Sequence, residues 1–486
     1  MKPHTTMGKE TATTAPHPHA LLVSFPGQGH INPVLRFAKR LASKGLLVTF
    51  SSTLDIGQRI CASTETTPGT LNPVGEGHLR FEFFSNGWDA DGDDDPSRRG
   101  DIDALLAQLS TVGSVRFAEL VRRQAEEGRP VACVIGNPFM PWVLDVAGEL
   151  NIPSAVLWVQ SLAVFSIYYH YFHSTVDFPA DYGSDDVVSV DLPGLPALAV
   201  DDLPSFLLES NPYKTLASVI LSQFANINKA TWVFANSFEE LEHDALEAIS
   251  KLSPVVPIGP LVETGVSGVI KGDIWKAEDC MEWLDRQQPR SVVYASVGSV
   301  VVLGRDEMAE MAYGLRDSGR AFLWVVREDC RHQLPEGFAE DVKGRGMVVA
   351  WSPQDEVLAH RAIACFVTHC GWNSTLELLT AGVPVIAYPQ WGDQLTDAKF
   401  LVDVYKVGAR LKAPVERGEF AKRVGEVTEG EKAEEVRGRC LALKEAAARA
   451  VAEGGSSDRN IQAFVDDIRR RVCGSKLEHD QHGKRL

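Results

Sequence analysis

The sequence has no apolar run long enough to cross a bilayer and no pair of cysteines spaced as a redox or zinc motif. Its longest near-apolar stretch, 152–169, is interrupted by Pro153, Ser154, Gln160, Ser161 and Ser166 and falls short of the ~20 residues a helical span needs. The eight cysteines, Cys61, Cys133, Cys280, Cys330, Cys365, Cys370, Cys440 and Cys473, are scattered without a CxxC, a usage expected of reduced, mostly buried thiols in a cytoplasmic protein. Cys365 and Cys370 flank His369, but the further ligands of a zinc site are missing, so no metal is expected. Positive charge is also in deficit: 48 basic against 65 acidic residues give a net charge of -17. With no basic stripe to reverse it, that balance disfavours nucleic acid and anionic membrane surfaces as partners. The first twenty residues hold two lysines and no apolar core, unlike a secretory signal or an Arg-rich transit peptide, and 1–19 are expected to be a disordered tail.

What is present is the rhythm of an α/β protein. Hydrophobic residues make up 44% and charged residues 23% of 486 positions, which suits a globular chain of about two to four domains. A buried strand over 20–25, a turn over 26–33, an amphipathic helix over 34–44 carrying Leu35, Ala38 and Leu41 on one face, and a strand over 46–50 form a βαβ opening. Gly27-x-Gly29-x-x-Asn32 approaches the dinucleotide fingerprint. However, the third glycine is absent and Ser51-Ser52 stand where a nicotinamide enzyme places its acidic ribose ligand. That turn carries His30 to the mouth of the crevice. The acidic run DADGDDDP over 89–96 has no strand before it, and its Gly92 falls too early for a calcium loop. It is expected to be a solvated loop.

Further strands are expected over 131–135 and 155–159. The second leads into an aromatic segment in which Trp158, Tyr168, Tyr169, Tyr171 and Phe172 form either core or the wall of a ligand pocket. Prolines and glycines from 255 to 272 mark a linker. Strands over 291–296, 322–326 and 347–350 with a helix over 306–318 then repeat the alternation. The expected fold is α/β with two doubly wound, Rossmann-like domains facing a cleft: 20–255, a linker over 256–275, and 276–455. A last helix over 456–473 bears the stripe Ile461, Val465, Ile468 and Val472, followed by a tail over 474–486.

The most informative stretch is 351–394, WSPQDEVLAHRAIACFVTHCGWNSTLELLTAGVPVIAYPQWGDQ. Its centre is a short buried strand, a glycine-containing turn at His369-Cys370-Gly371, and the start of a helix through Leu376, Leu379 and Ala381. Unpaired N–H groups and the positive end of a helix dipole favour a phosphate there, and His369, Asn373 and Ser374 add donors. The stretch resembles the nucleotide-sugar signature of plant family-1 UDP-glycosyltransferases, from Trp351-Ser352-Pro353-Gln354 through HCGWNST to Gly392-Asp393-Gln394. By that resemblance Trp351 stacks on uracil, Gln354 lies along the nucleoside, Ser352 belongs to the same donor-binding set, and Glu377 accepts hydrogen bonds from the ribose hydroxyls. His369, Asn373 and Ser374 hold the phosphates with Ser299 as a further donor, Trp372 lines the sugar pocket, and Asp393 and Gln394 bind the sugar hydroxyls. Gln394 points to UDP-glucose as donor substrate, with no separate cofactor. The family fold is GT-B, in which the last helix crosses back onto the first domain. The charged chain end, unlike the membrane helix of animal relatives, implies no membrane attachment.

Inverting transfer to a neutral hydroxyl requires a base on the acceptor side of the cleft, and the resemblance assigns that role to His30. In most of the family an aspartate pairs with this histidine; here the position is Asn137. In a serine-protease triad the same Asp-to-Asn change lowers the rate by about 10⁴. A phenol with a pKa of about 10 needs the base, whereas a carboxylic acid with a pKa of about 4 arrives ionised. The run Asn-Pro-Phe-x-Pro-Trp, with FPGQGH and LWVQS, also resembles the subgroup that glucosylates hydroxybenzoates, hydroxycinnamates and related acids. The expected protein is a cytoplasmic, monomeric, metal-independent glucosyltransferase forming glucose esters of small aromatic or indolic acids. Phenol O-glucosylation and C-glucosylation are alternatives within the class, and a non-catalytic UDP-sugar-binding protein is the alternative outside it.

Overall fold

A computed structural model describes residues 17–88, 101–183, 189–263 and 278–483, with side chains as far as 474. The acidic run 89–96, most of the tail 1–19 and residues 264–275 of the expected linker lie outside the described residues. The chain forms two α/β units. The first sheet contains β1 (His19–Val23), β2 (Leu47–Ser51), β3 (Asn72–Val74), β4 (Gly77–Phe81), β5 (Val131–Gly136), β6 (Ser154–Trp158), β7 (Trp232–Ala235) and β8 (Val256–Pro257). Its order is β3-β4-β2-β1-β5-β6-β7-β8, parallel except for the β3–β4 hairpin. The second sheet contains β9 (Val292–Ser296), β10 (Ala321–Val325), β11 (Gly346–Val349), β12 (Ile363–Thr368), β13 (Val385–Ala387) and β14 (Gly408–Arg410). It runs β11-β10-β9-β12-β13-β14, all parallel.

Strands covered by helices on both faces need apolar residues without alternation. HALLV in β1, SAVLW in β6 and IACFVT in β12 meet that demand, and every residue of the three is buried. Trp158 and Tyr168 lie wholly within the first core, so of the expected aromatic wall these two are packing residues. Contrary to the expectation that no segment reaches membrane length, the helical stretch 102–126 is long and apolar enough to span a bilayer by length and composition; it sets Leu106, Leu109, Phe117, Leu120 and Val121 into the same core.

Two boundaries differ from expectation. Helix α1 runs Gln28–Ser43 with Pro33 inside it, so His30 sits in its first turn and not in a loop. Residues 256–263 are not free linker either: β8 pairs with β7, and Ile258 and Leu261 are buried in the first domain's core. The last helix (Ser456–Gly483) lies on the first domain. Ile461, Phe464, Val465 and Ile468 pack among Ala20, Leu22, Cys133 and Ile135. Phe464 joins the buried stripe, its ring 4.9 Å from that of Phe234, while Val472 at the far end is partly exposed.

Candidate active site

A doubly wound sheet opens a crevice beyond its carboxyl ends where the strand order reverses. Both sheets do so beside their first strand. In the first sheet the reversal falls between β1 and β5; β1 leads into α1 and His30, and β5 ends directly before Asn137. The half-buried His30 ring packs against Phe139 and Phe25, with centroids 4.3 and 5.2 Å away. Burial lowers its pKa to about 4, so the imidazole is neutral at pH 7. Asn137 Oδ1 accepts the Phe139 N–H at 3.1 Å. A backbone N–H can only donate, so the amide orientation is determined and Nδ2 is left for the imidazole. His30 Nδ1 and Asn137 Nδ2 are both buried and neither has a well-aligned partner. Each buried polar atom left without a partner costs about 1–3 kcal/mol.

In the second sheet the reversal falls between β9 and β12. The turn after β9 holds Gly298 and Ser299; the turn after β12 holds His369, Cys370 and Gly371 and opens helix α2 (Trp372–Ala381). His369 is wedged between two glycines: a Cβ at Gly298 or at Gly371 would stand 2.6 Å from its Nε2. Gly298 also has φ +83, a conformation that side chains disfavour. Burial lowers the His369 pKa to about 4, leaving a neutral ring. Arg327 Nη1 fixes the first turn by donating to the carbonyls of Ser299 at 2.6 Å and Val301 at 3.2 Å.

The other candidates from the signature fall into three groups. Ser352, Gln354, Ser374 and Glu377 form one network: Tyr294 OH and Ser352 Oγ are 2.9 Å apart, and Gln354 Nε2 donates to Ser374 Oγ at 2.9 Å and to Glu377 Oε2 at 2.8 Å. Half-buried Trp351 borders it, its carbonyl accepting the Glu278 N–H at 3.0 Å. Asp393 and Gln394 sit at the start of the helix Gln394–Lys399. There Gln394 Oε1 accepts the N–H groups of Gln390 and Trp391 at 3.0 and 3.3 Å. Burial raises the Asp393 carboxyl, with Gln160 of the first domain bonded to it. Asn373 and Trp372 form the third group and reach across the cleft: Asn373 Nδ2 donates to Gly29 O at 2.6 Å, and Trp372 Nε1 to Asn236 O at 2.7 Å. The place of Trp372 is a correction. Its indole is 3 % exposed and tied to the facing domain, so it does not line an open sugar pocket.

Several residues at the site carried no motif. Arg36 reaches Glu377 from α1, Tyr294 anchors Ser352, and Ser161 Oγ donates to Asp397 Oδ1 at 2.9 Å. Burial, together with Asp393, raises the Asp397 carboxyl well above the carboxylate range. Each is a polar residue on an otherwise buried face, a signal that needs the partner strand or helix to be known.

Two Rossmann-like sheets whose switch points face one another, one with an imidazole and the other with a phosphate-type turn, define a glycosyltransferase of the GT-B class. The family described as UDP-glucoronosyl and UDP-glucosyl transferase matches residues 266–420. The gallate 1-beta-glucosyltransferase of Quercus robur is 49% identical over 466 residues, covering 93% of this chain and 90% of that one. The cinnamate beta-D-glucosyltransferase of Fragaria ananassa is 47% identical over 466 residues, covering 93% and 83%. The crystal structure of Os79 from O. sativa in complex with UDP aligns with TM-score 0.81 at 32% identity, over 92% of this chain and 100% of that one. The chain belongs to the plant family-1 UDP-glycosyltransferases.

Proposed function

We propose that the protein transfers glucose from UDP-glucose, with inversion, to the carboxylate of a small aromatic acid. The observation that carries this reading is Asn137 beside His30. With Oδ1 held by the Phe139 N–H, the amide offers its N–H to His30 Nδ1, which places the imidazole proton on Nε2. A ring in that tautomer has no lone pair to take a phenol proton, but it donates a hydrogen bond to an ionised carboxylate and aims it. The carboxylate oxygen then attacks the anomeric carbon, the bond to the UDP oxygen breaks, and no proton changes hands. The likeness to enzymes named for gallate and cinnamate supports the same acceptor class.

On the donor side, charge leaving on the diphosphate meets the N-terminus of α2 with Asn373, Ser374, His369 and Ser299 about it. Trp351, Ser352 and Gln354 take the uridine and Glu377 the ribose. Asp393 and Gln394 take the glucose hydroxyls. Since one chain supplies both halves of this site, a monomer suffices, and we read the eight free thiols as those of a cytoplasmic enzyme.

The test is mass spectrometry of products from UDP-glucose with matched benzoic acids, cinnamic acids and phenols, before and after mild alkali. Alkali-labile glucose conjugates of the acids, lost in His30→Ala, are expected. Alkali-stable products alone would replace this reading with ether or carbon-linked transfer. Absence of acceptor-dependent UDP release would leave a nucleotide-sugar-binding protein.

A further inference from the structure

Helices α1 and α2, from opposite domains, are tied at two points. Asn373 and Glu377 are one turn apart on α2, and Gly29 and Arg36 are two turns apart on α1, so each pair shares a helix face. At the first point Asn373 Nδ2 donates to Gly29 O at 2.6 Å. That carbonyl is free to accept because the residue four positions on is Pro33, which has no N–H to close the helical bond. At the second point Arg36 Nη1 donates to Glu377 Oε1 at 2.9 Å and to Leu261 O at 3.1 Å. The side chains of Arg36 and Glu377 are 11% and 7% exposed. A buried ion pair is rarely retained for stability, because desolvation cancels most of its attraction.

We propose that Arg36 is a donor-positioning residue: from the acceptor domain it holds the Glu377 carboxylate in the orientation that accepts the ribose hydroxyls of UDP-glucose. Glu377 is gripped at both oxygens, by Arg36 at Oε1 and by Gln354 at Oε2. Each carboxylate oxygen has room for two hydrogen bonds, so each keeps a lone pair for one hydroxyl of the vicinal diol. The helix that holds the carboxylate also carries His30 six residues earlier, which couples ribose recognition to the placement of the imidazole. The inference rests on Glu377 as the ribose acceptor.

The experiment compares UDP-glucose with its 2′-deoxyuridine analogue as donors for the wild type, Arg36→Met, Arg36→Gln, Arg36→Lys and Glu377→Ala, with thermal melting of each. Arg36→Met is expected to raise the KM for UDP-glucose roughly tenfold, the equivalent of one charge-assisted hydrogen bond. It should raise the KM for the deoxy analogue, which keeps only the 3′ hydroxyl for Glu377, by distinctly less, so the preference for the ribo donor shrinks, while kcat at saturating donor moves little. Arg36→Lys recovers part of the preference, and Arg36→Gln serves if the methionine variant does not fold. Equal KM changes for both donors would reduce Arg36 to a structural tie and overturn the proposal. A preference that survives Glu377→Ala would instead overturn the ribose role of Glu377, and the proposal with it.

Discussion

At the scale of single residues, the proposed function turns on a change of one atom in one side chain, the amide nitrogen of Asn137 in place of a carboxylate oxygen, which on that reading sets the nitrogen of His30 that bears the proton. Asn137→Asp puts an acceptor at Nδ1, moves the proton there and frees the Nε2 lone pair as a base. Glucosylation of phenols is expected to rise at least tenfold, within the ceiling of about 10⁴ set by the same change in a serine-protease triad, and transfer to acids by much less. The pH profile gives an independent check. His30 has a pKa of about 4, so in the wild type kcat/KM for acids should be level above pH ~5 and fall below it as the acceptor and the ring take up protons. In Asn137→Asp a neighbouring carboxylate favours the imidazolium, the His30 pKa rises, and the acid limb moves to higher pH. The candidate residues were legible in the sequence because a flat indole, a carboxylate and hydroxyl donors each suit one part of a nucleotide sugar, and the structure brings Ser352, Gln354, Ser374 and Glu377 into one network. The direction of Trp372 was not, because its hydrogen bond is to Asn236, 136 positions away.

At the scale of elements, the turns after β1, β5, β9 and β12 carry the candidate residues, and glycine sets how closely Gly298 and Gly371 approach His369. Gly298→Ala forces a Cβ against His369 in a backbone conformation that alanine disfavours. It is expected to raise the KM for UDP-glucose at least tenfold and to lower the melting temperature, read from donor kinetics and a thermal melt. Strand β1 contains a third neutral imidazole, beside His30 and His369. His19 Nδ1 bonds Arg129 O at 2.9 Å and Nε2 meets Thr49 Oγ1 at 2.7 Å, and burial lowers its pKa to about 4. The unfolded chain protonates near 6.5, so on acidification the unfolded state takes up the proton first. His19 therefore contributes stability that falls as pH drops from about 6.5 to 4, by up to ~3 kcal/mol. Urea titrations at pH 7 and pH 4.5 should show a smaller difference for His19→Asn than for the wild type. Alternation of apolar and helical segments revealed most strands. The start of α1 was hidden because Pro33 suggests a turn, and only the packed helix shows that the carbonyl it leaves open meets Asn373.

At the scale of the whole molecule, the two domains are joined by contacts far apart in the chain. These include Asn373–Gly29, Arg36–Glu377, Trp372–Asn236, the Ser205 Oγ that accepts the Gly392 N–H at 2.7 Å, and the last helix lying on the first sheet. Phe464→Ala removes a ring packed against Trp232 and Phe234 and is expected to cost about 3–5 kcal/mol, measured as a shift in the denaturation midpoint of the first domain. By itself the sequence determined that there are two α/β domains and where the glycine turns at the ends of β9 and β12 lie. Those properties depend on local periodicity and on residues within one turn of each other. Only the tertiary structure decided that Arg36 grips Glu377, that Trp372 is a tie between domains, and that Asn137 Oδ1 is occupied by the Phe139 N–H. Such pairings follow from which surfaces the two sheets bring face to face, and no short-range pattern encodes a distance of hundreds of residues.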